Sequence, residues 1–299
     1  MRGAPNMSQY SIKDLEKLSG IKAHTIRIWE KRYGIIEPQR TDTNIRYYSD
    51  YDLKKILNVS ILNSKGYKIS KIADFNSEML RNKVFELSQS ATDFPVQIDR
   101  LILAMIDLEE RNFNDIISSL TLKIGFEETV INILYPFLEK IGVLWVTGNI
   151  HPAQEHFITN LIRQKLIVVT DALPIPEKSE KNFILFLREG EFHELGLLFM
   201  NYLLRANGFY TYYLGQTVPT EDVVKVCEKH KGNFLATSMI AGNLPIKTDE
   251  YIKTLASTFP NKKIIINGQQ ITNQVQKSLP ANLIYSSSSK NFKEIISAF

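Results

Sequence analysis

SIKDLEKLSGIKAHTIRIWEKRYG, residues 11–34, is the stretch that decides the fold of the N-terminal part of this chain. Ser11 is a residue type that caps helix N-termini, and the glycine at position 20 ends the first helix. The apolar stripe of this helix is formed by Ile12, Leu15 and Leu18. A second helix is predicted from about Lys22 to Arg32, so the two helices form a helix-turn-helix with a basic second helix.

The second helix is predicted to turn its apolar side chains toward the first helix and its polar side chains outward. The apolar positions expected in that contact are Ile21, Ile28 and Trp29. The outward positions are His24, Thr25, Arg27 and Lys31. Arg27 and Lys31 are one helical turn apart, so both can enter the major groove of a DNA duplex together.

A short hairpin, or wing, is predicted within PQRTDTNIRYYSDYD, residues 38–52, where turn-forming residues separate short polar and aromatic strands. Ser49 and Asp50 are then expected to cap a helix, and Gly66 to separate it from a further helix. The wing residues placed to meet DNA phosphates are Arg40, Arg46 and Tyr47.

The charge distribution agrees with a nucleic-acid partner for this part of the chain. Residues 1–77 carry 14 lysines and arginines against 8 aspartates and glutamates, whereas the whole chain of 299 residues carries a net charge of only +4. Phosphate neutralisation supplies most sequence-independent affinity for DNA. The alternative reading is that these charges are solvated on a small helical domain.

The motif order resembles the DNA-binding domain of MerR-type regulators. The residues that carry the resemblance are "IRIWEKRYGIIEPQR", "NIRYYSDYDL" and "ILNSKGYKISKIADF", and it covers about residues 8–76. It implies a double-stranded DNA operator as partner. The DNA-contacting residues it implies are His24, Thr25, Arg27, Lys31, Arg32, Tyr33, Arg40, Arg46 and Tyr47.

The middle of the chain, residues 77–173, is predicted to be a small helical bundle. Apolar residues recur at three-to-four spacing through residues 96–113, 126–148 and 151–173. The proline-containing stretch PIPEKSEK, residues 174–181, is predicted to be a linker.

Residues 182–299 change to a different periodicity. The short apolar or β-branched runs NFILFL, FYTYYLG, NFLATSMI, KKIIING and NLIYSS alternate with helical stretches that begin near residues 193, 220, 246 and 271. Alternating strands and helices of this length predict a parallel sheet with helices on both faces. A flavodoxin-like doubly wound domain is expected.

The sequence EFHELG, residues 191–196, is placed between the first strand and the first helix of this domain. Ligands bind at such carboxyl ends of strands in doubly wound sheets. His193 can present its ring to the metal of a cofactor, while Glu191 holds the other ring nitrogen. Gly196 would let a bulky group approach the helix backbone. Taken alone, a Glu-x-His is a weak signal, and a surface histidine on a loop is the favoured interpretation.

EFHELG followed by "YYLGQTVPTEDVV" and "TSMI" resembles the cobalamin-binding domain of methionine synthase, mutases and light-sensing regulators. The resemblance implies that His193 is the lower axial ligand to cobalt, that Glu191 orients it, and that Ser238 bonds the displaced nucleotide base. The further cofactor-contacting residues it implies in this domain are Gly196, Thr217, Gly268 and Gln269.

The helical stretch "WVTGNIHPAQEH" resembles the helical cap over the upper face of the cofactor in the same regulators. Trp145, Glu155 and His156 are the cap residues that it implies. Together the three parts resemble the cobalamin-dependent photoreceptor repressors of carotenoid genes, the CarH/LitR type, over about 290 residues. The resemblance implies adenosylcobalamin or methylcobalamin between bundle and α/β domain, and a homo-oligomer, either dimer or tetramer.

This sequence departs from that family pattern at three positions. Ile240 replaces a leucine, and Gln269 replaces the second glycine of a pair that leaves room for the nucleotide tail. Val146 stands where light-sensing relatives have a histidine that captures cobalt after photolysis. The departures at Gln269 and Val146 bear on how tightly the cofactor is held and on whether light acts through it.

The sequence thus predicts a multidomain protein: an all-α winged helix-turn-helix, a four-helix-bundle-like helical cap and an α/β flavodoxin-like doubly wound parallel sheet. Its expected function is cytoplasmic, DNA-binding transcriptional repression controlled by cobalamin, without enzyme activity or a membrane segment. One alternative is a cobalamin-independent MerR-type regulator whose degenerate C-terminal half binds a protein partner or another ligand. The other alternative is a corrinoid enzyme or methyl carrier, in which the DNA-binding module would have no role.

Overall fold

The computed structural model describes residues 9–87, 93–146, 150–178, 181–230 and 234–299, except for the side chains of residues 85, 143–146 and 274. The chain divides into two compact units, residues 1–158 and 159–299. None of the helices in these described ranges combines the length and the hydropathy that a membrane span requires.

The first unit opens with the predicted helix-turn-helix, α1 (Ile12–Ser19) and α2 (Ala23–Tyr33). The Ser11 side chain accepts a hydrogen bond from the Asp14 amide, and the Asp14 carboxylate accepts one from the Ser11 amide at 2.8 Å. This reciprocal cap fixes the start of α1. Gly20, in the left-handed conformation at φ +72°, ends it.

The predicted rotation of α2 is wrong at one position. Ile26 is fully buried and Trp29 is buried, whereas Ile28 is 53% exposed. At 100° per residue, Ile28 lies about 160–200° away from Ile26 around the helix axis, so the two cannot share a face. Since Ile26 and Trp29 pack inward, Ile28 points outward with the polar residues.

The predicted wing follows as the antiparallel strands β1 (Gln39–Arg40) and β2 (Arg46–Tyr47), in which Arg40 pairs with Arg46. Asn44 takes the left-handed conformation in the turn between them, at φ +65°. Ser49 caps α3 (Asp50–Ser64) as predicted, with the same reciprocal bonding to Asp52. The short α4 (Ile69–Ala73) follows Gly66.

Helices fill the rest of the first unit: α5 (Ser77–Leu87), α6 (Phe94–Ile106), α7 (Glu110–Ile124), α8 (Phe126–Thr129), a π-helical turn (Val130–Leu134) and α9 (Tyr135–Val146). The single helix predicted over 96–113 is broken at residues 107–109. Leu108 is left-handed there, with φ +53°, and the Glu109 amide donates back to the Ala104 carbonyl. Apolar spacing continues across this turn, so the sequence pattern does not show it.

Helix α10 (Pro152–Asp171) begins in the first unit and continues into the second. The second unit contains β3 (Phe183–Arg188), α11 (Leu195–Ala206), β4 (Thr211–Val218), α12 (Thr220–Lys229), β5 (Phe234–Ser238), α13 (Thr248–Thr258), β6 (Lys263–Asn267), α14 (Asn273–Gln276), β7 (Leu283–Tyr285) and α15 (Ser289–Ser297).

The five strands of the second unit form a parallel sheet in the order β4-β3-β5-β6-β7. All six residues of β3 are buried, as expected for a strand covered by helices on both faces. The order reverses on either side of β3, which confirms the flavodoxin-like prediction. It also places the switch point, where such sheets bind ligands, at the carboxyl ends of β3 and β5.

Candidate functional site

The loop after β3 is organised around the carboxylate of Glu191, which is fully buried. One carboxylate oxygen accepts from the amides of Ile240 and Ala241 at 2.9 and 2.7 Å. The other accepts from the amide of His193 at 3.1 Å and lies 2.5 Å from its ring nitrogen Nδ1. Glu191 therefore ties the loop after β3 to the loop after β5.

The hydrogen bonds keep Glu191 ionised. Burial alone raises the pKa of the carboxyl, but the bonds from the His193 ring and from the amides of Ala241, His193 and Ile240 outweigh it and lower the pKa to about 2. An ionised carboxylate accepts hydrogen bonds only, so the neutral His193 ring must carry its proton on Nδ1. The lone pair of the ring then lies on Nε2.

The ring of His193 is oriented and accessible. Its side chain is 61% exposed although its partner carboxylate is fully buried. A histidine whose Nδ1–H is held by a carboxylate is the usual arrangement of a metal-ligating imidazole, with Nε2 as the ligand atom. The predicted relation between His193 and Glu191 is present in the structure.

The ends of β5 and β6 lie close to the start of α11. Ser238, the last residue of β5, is buried, and a Cβ atom added to Gly196 would lie 3.8 Å from the Ser238 Oγ atom. Gly268 follows β6 with φ +116°, and a Cβ atom there would lie 2.2 Å from the carbonyl oxygen of Met239. The side chain of Gln269 is exposed. Gly268 is thus required by close backbone packing between the two loops.

Thr217 lies at the end of β4 with φ +50°, and its Oγ1 atom accepts from the Gly190 amide at 3.0 Å. Thr217 therefore supports the turn that leads into the Glu191 loop. The predicted residues of the α/β domain thus lie at the ends of β3, β4, β5 and β6, or in the loops and helix start that follow them.

Two buried amides next to this region were not predicted. The Oδ1 atoms of Asn201, on α11, and Asn267, the last residue of β6, have no hydrogen-bond partner within the described part of the chain. Buried polar atoms are normally satisfied, so each of these oxygens is a candidate partner for a polar ligand. The only sequence signal was that Asn267 directly precedes Gly268.

Glu194 was also missed by the sequence reasoning. Its carboxylate is buried at the N-terminus of α11, accepts from the Tyr213 hydroxyl at 3.1 Å and forms an ion pair with Arg163 of α10. Tyr213 and Arg163 are distant in sequence, so local patterns could not show this network. It holds the start of α11, and with it the His193 loop, in place.

The predicted cap residues lie in the first unit. Trp145 belongs to α9, but its side chain, like that of Val146, is outside the described residues. Glu155 and His156 lie in the first turn of α10, where the His156 Nδ1 atom is 3.3 Å from a Glu155 carboxylate oxygen and the His156 side chain is 72% exposed. An exposed histidine at a helix start fits either a solvated or a ligand-facing role.

The predicted DNA-contacting residues lie on α2 and the wing. The exposed ones are His24, Arg27, Lys31, Arg32, Arg40 and Arg46, and the half-buried ones are Thr25, Tyr33 and Tyr47. The side chain of Glu30 joins the two elements. Its carboxylate accepts from the Tyr48 hydroxyl at 3.1 Å and lies 3.7 Å from the Nε atom of Arg46. Burial and the neighbouring Glu30 carboxylate raise the pKa of the Tyr48 hydroxyl, so this bond persists at neutral pH.

Two family models match parts of the chain. Residues 10–78 match the MerR HTH family regulatory proteins, and residues 97–170 match the B12 binding domain. The second match falls on the helices from α6 to α10 rather than on the parallel sheet.

Curated relatives match over most of the chain. This chain is 26% identical over 257 residues to the HTH-type transcriptional repressor CarH of Myxococcus xanthus. The alignment covers 84% of this chain and 85% of the relative. It is 26% identical over 237 residues to the repressor CarA of the same organism, covering 78% of this chain and 77% of that one.

Among solved structures, the monomethylamine corrinoid protein of Methanosarcina barkeri has a similar fold. The TM-score is 0.56 at 19% identity, with 67% of this chain and 96% of that chain covered. This likeness concerns the fold alone.

Proposed function

We propose that this chain, a MerR-type regulator with a cobalamin-binding domain, is a transcriptional repressor whose affinity for operator DNA is set by bound cobalamin. The same molecule then reads duplex DNA through α2 and the wing, and holds the corrinoid at the carboxyl edge of its parallel sheet. It acts on cytoplasmic DNA and has no catalytic step of its own.

The observation that carries the proposal is the pairing of His193 with Glu191. The Glu191 carboxylate holds Nδ1 of the ring, and the side chain is 61% exposed at the switch point of the sheet. Neutral imidazole with its lone pair on Nε2 suits cobalt ligation. The unsatisfied amide oxygens of Asn201 and Asn267 are proposed partners for the polar tail of a corrinoid.

Bound cobalamin would supply a cobalt centre whose ligands can exchange, and the state of this centre would be the signal for the repressor. Glu191 orients His193 and keeps its lone pair on Nε2. Glu194, through Arg163 and Tyr213, holds the helix that follows the ligand loop. Trp145, Glu155 and His156 are proposed to contact the upper side of the cofactor.

On the DNA side, Arg27 and Lys31 are proposed to enter the major groove while Arg40, Arg46 and Tyr47 position the duplex through its phosphates. A homodimer is the smallest assembly expected to read an operator, because one wing-helix module contacts too few bases for genomic specificity.

The test is cobalamin retention. Purified protein is incubated in the dark with adenosylcobalamin or methylcobalamin and desalted, and the visible spectrum is recorded. We expect retention by the wild type and its loss, or a spectrum of altered axial ligation, in His193→Ala. His24→Ala, which removes an exposed histidine from α2, serves as the matched control and should retain the cofactor.

A wild type that retains no cobalamin would contradict the proposal and favour a cobalamin-independent regulator. Equal retention by His193→Ala and the wild type would contradict the ligand assignment.

Illumination of the cobalamin-loaded protein before an operator gel shift tests the light response. A loss of DNA affinity on illumination supports control by light, and unchanged affinity indicates control by cofactor supply.

A further inference from the structure

An aliphatic side chain lies on the stripe of α2 that is proposed to face DNA. Ile28 is 53% exposed, and its neighbours one turn away, His24 and Lys31, are exposed, as is Arg27 beside it. At 100° per residue these four side chains fall within an arc of about 100°. Ile28 therefore lies at one edge of this arc, next to His24 and midway along its length, on a stripe that otherwise carries hydrogen-bond donors.

The structure prevents Ile28 from turning into the core. Ile26 and Trp29 are buried on the opposite side of α2 and fix its rotation. Glu30 bonds the Tyr48 hydroxyl and pairs with Arg46 of the wing, which fixes α2 relative to the hairpin. When α2 enters a major groove, Ile28 must enter with Arg27 and Lys31.

The major groove offers one apolar group to such a side chain. Guanine, cytosine and adenine edges present hydrogen-bond donors and acceptors, and only thymine presents a C5 methyl group. A β-branched side chain has few rotamers to lose on contact, so burying it against a methyl group costs little entropy. We propose that Ile28 is a specificity-determining residue that reads a thymine methyl group in the operator.

This inference rests on the proposed DNA-binding function, and the experiment separates the two. Duplexes are enriched from a random library with the full-length protein, and each thymine of the enriched sequence is replaced in turn by deoxyuridine, which lacks only the methyl group. We expect the replacement at one position of each half-site to weaken wild-type binding about fourfold, since one buried methyl group contributes about 0.8 kcal/mol.

The expected signature is that this loss disappears in Ile28→Ala, which binds the thymine and deoxyuridine duplexes equally. Ile246→Ala is the matched control: Ile246 is 51% exposed in the second unit, and its variant should keep the fourfold loss. Because Ile28 is exposed, its variant should unfold at the same denaturant concentration as the wild type.

Two results would overturn the inference while leaving the DNA-binding function intact. One is a wild type that binds enriched DNA without sensitivity to deoxyuridine at any thymine. The other is an equal deoxyuridine effect in the wild type and in Ile28→Ala. A wild type that enriches no sequence would overturn the DNA-binding function, and with it the reading of thymine.

Discussion

Replacing Glu191 with glutamine tests the centre of the candidate cofactor site. The amide keeps the shape of the side chain but removes its charge. It can still accept from the amides of Ile240 and Ala241, but its NH₂ group facing His193 donates where the carboxylate accepted. The ring must then accept at Nδ1 and carry its proton on Nε2, so it loses the lone pair proposed to ligate cobalt.

The magnitude follows from the pKa of Glu191. The carboxyl has an ordinary pKa of 4.5 and a folded-state pKa of about 2, and this difference corresponds to about 3 kcal/mol of folding free energy. Because the folded pKa is the lower one, this stabilisation is fully present above pH 4.5 and is lost as the pH falls toward 2. At pH 3.5 about 1 kcal/mol of it should already be gone.

The assay compares urea denaturation of the wild type and Glu191→Gln at pH 7 and pH 3.5, followed by circular dichroism. Titrating groups that do not contact Glu191 are common to both proteins and cancel in the difference between them. We expect Glu191→Gln to be less stable by about 3 kcal/mol at pH 7 and by clearly less at pH 3.5. Glu189→Gln, an exposed carboxylate on the same loop, is the control and should match the wild type at both pH values.

A stability difference that is the same at pH 7 and pH 3.5 would refute this reasoning, because it would show that the ionised carboxylate adds nothing beyond its shape.

The effect of the substitution on cobalamin retention is measured separately. Glu191→Gln should retain less cobalamin than Glu189→Gln after desalting, and equal retention would contradict the proposed role of the tautomer.

Two further predictions concern the loop packing and the DNA face. Gly268→Ala should lower the free energy of unfolding by at least ~2 kcal/mol, because its Cβ atom would meet the Met239 carbonyl oxygen at φ +116°. Urea denaturation checks this against Gly142→Ala, whose Cβ atom meets nothing within 4 Å, and an equal effect of both variants would contradict it. Arg27→Ala should weaken operator binding by about 1–3 kcal/mol, whereas Arg46→Ala should weaken operator and random duplex alike. Gel shifts on both duplexes decide this, and unchanged affinity in both variants would remove this face from the DNA contact.

Local chemistry made the boundaries of several elements predictable. Ser11 and Ser49 each start a helix because a serine hydroxyl can accept a hydrogen bond from a backbone amide that has no partner within the helix. Gly20 ends a helix because glycine adopts the left-handed backbone conformation at little energetic cost. The alternation of apolar strands and amphipathic helices was sufficient for a parallel sheet, and with it for the position of His193 at a strand end.

Contacts between distant residues could not be predicted in the same way. Glu191 bonds the amides of residues 240 and 241, about 50 positions further along the chain. The outward orientation of Ile28 depends on which apolar neighbour packs inward, and Ile26 and Ile28 are chemically identical. The break at Leu108 interrupts a run of apolar residues without any glycine or proline to mark it.

Within the first unit, polar contacts join helices that match the B12 binding domain to helices that match the MerR HTH family. Lys140 of α9 donates to the Asp99 carboxylate of α6 at 2.8 Å and to the Leu18 carbonyl of α1 at 3.2 Å. Burial raises the pKa of Asp99 and Lys140 opposes it, so the carboxylate depends on this lysine for its charge.

Helix α3 is tied to both ends of α6 as well. Lys54 pairs with Asp107 at the C-terminal end of α6, and Lys65 pairs with Asp93 at its N-terminal end. Three of the four bundle residues in these contacts lie within residues 97–170, which match the B12 binding domain. A shift of α6 or α9 must therefore either carry α1 and α3 with it or break these ion pairs. Since α1 packs against α2, the position of α2, the helix proposed to read DNA, depends on the same bundle helices that match the B12 binding domain.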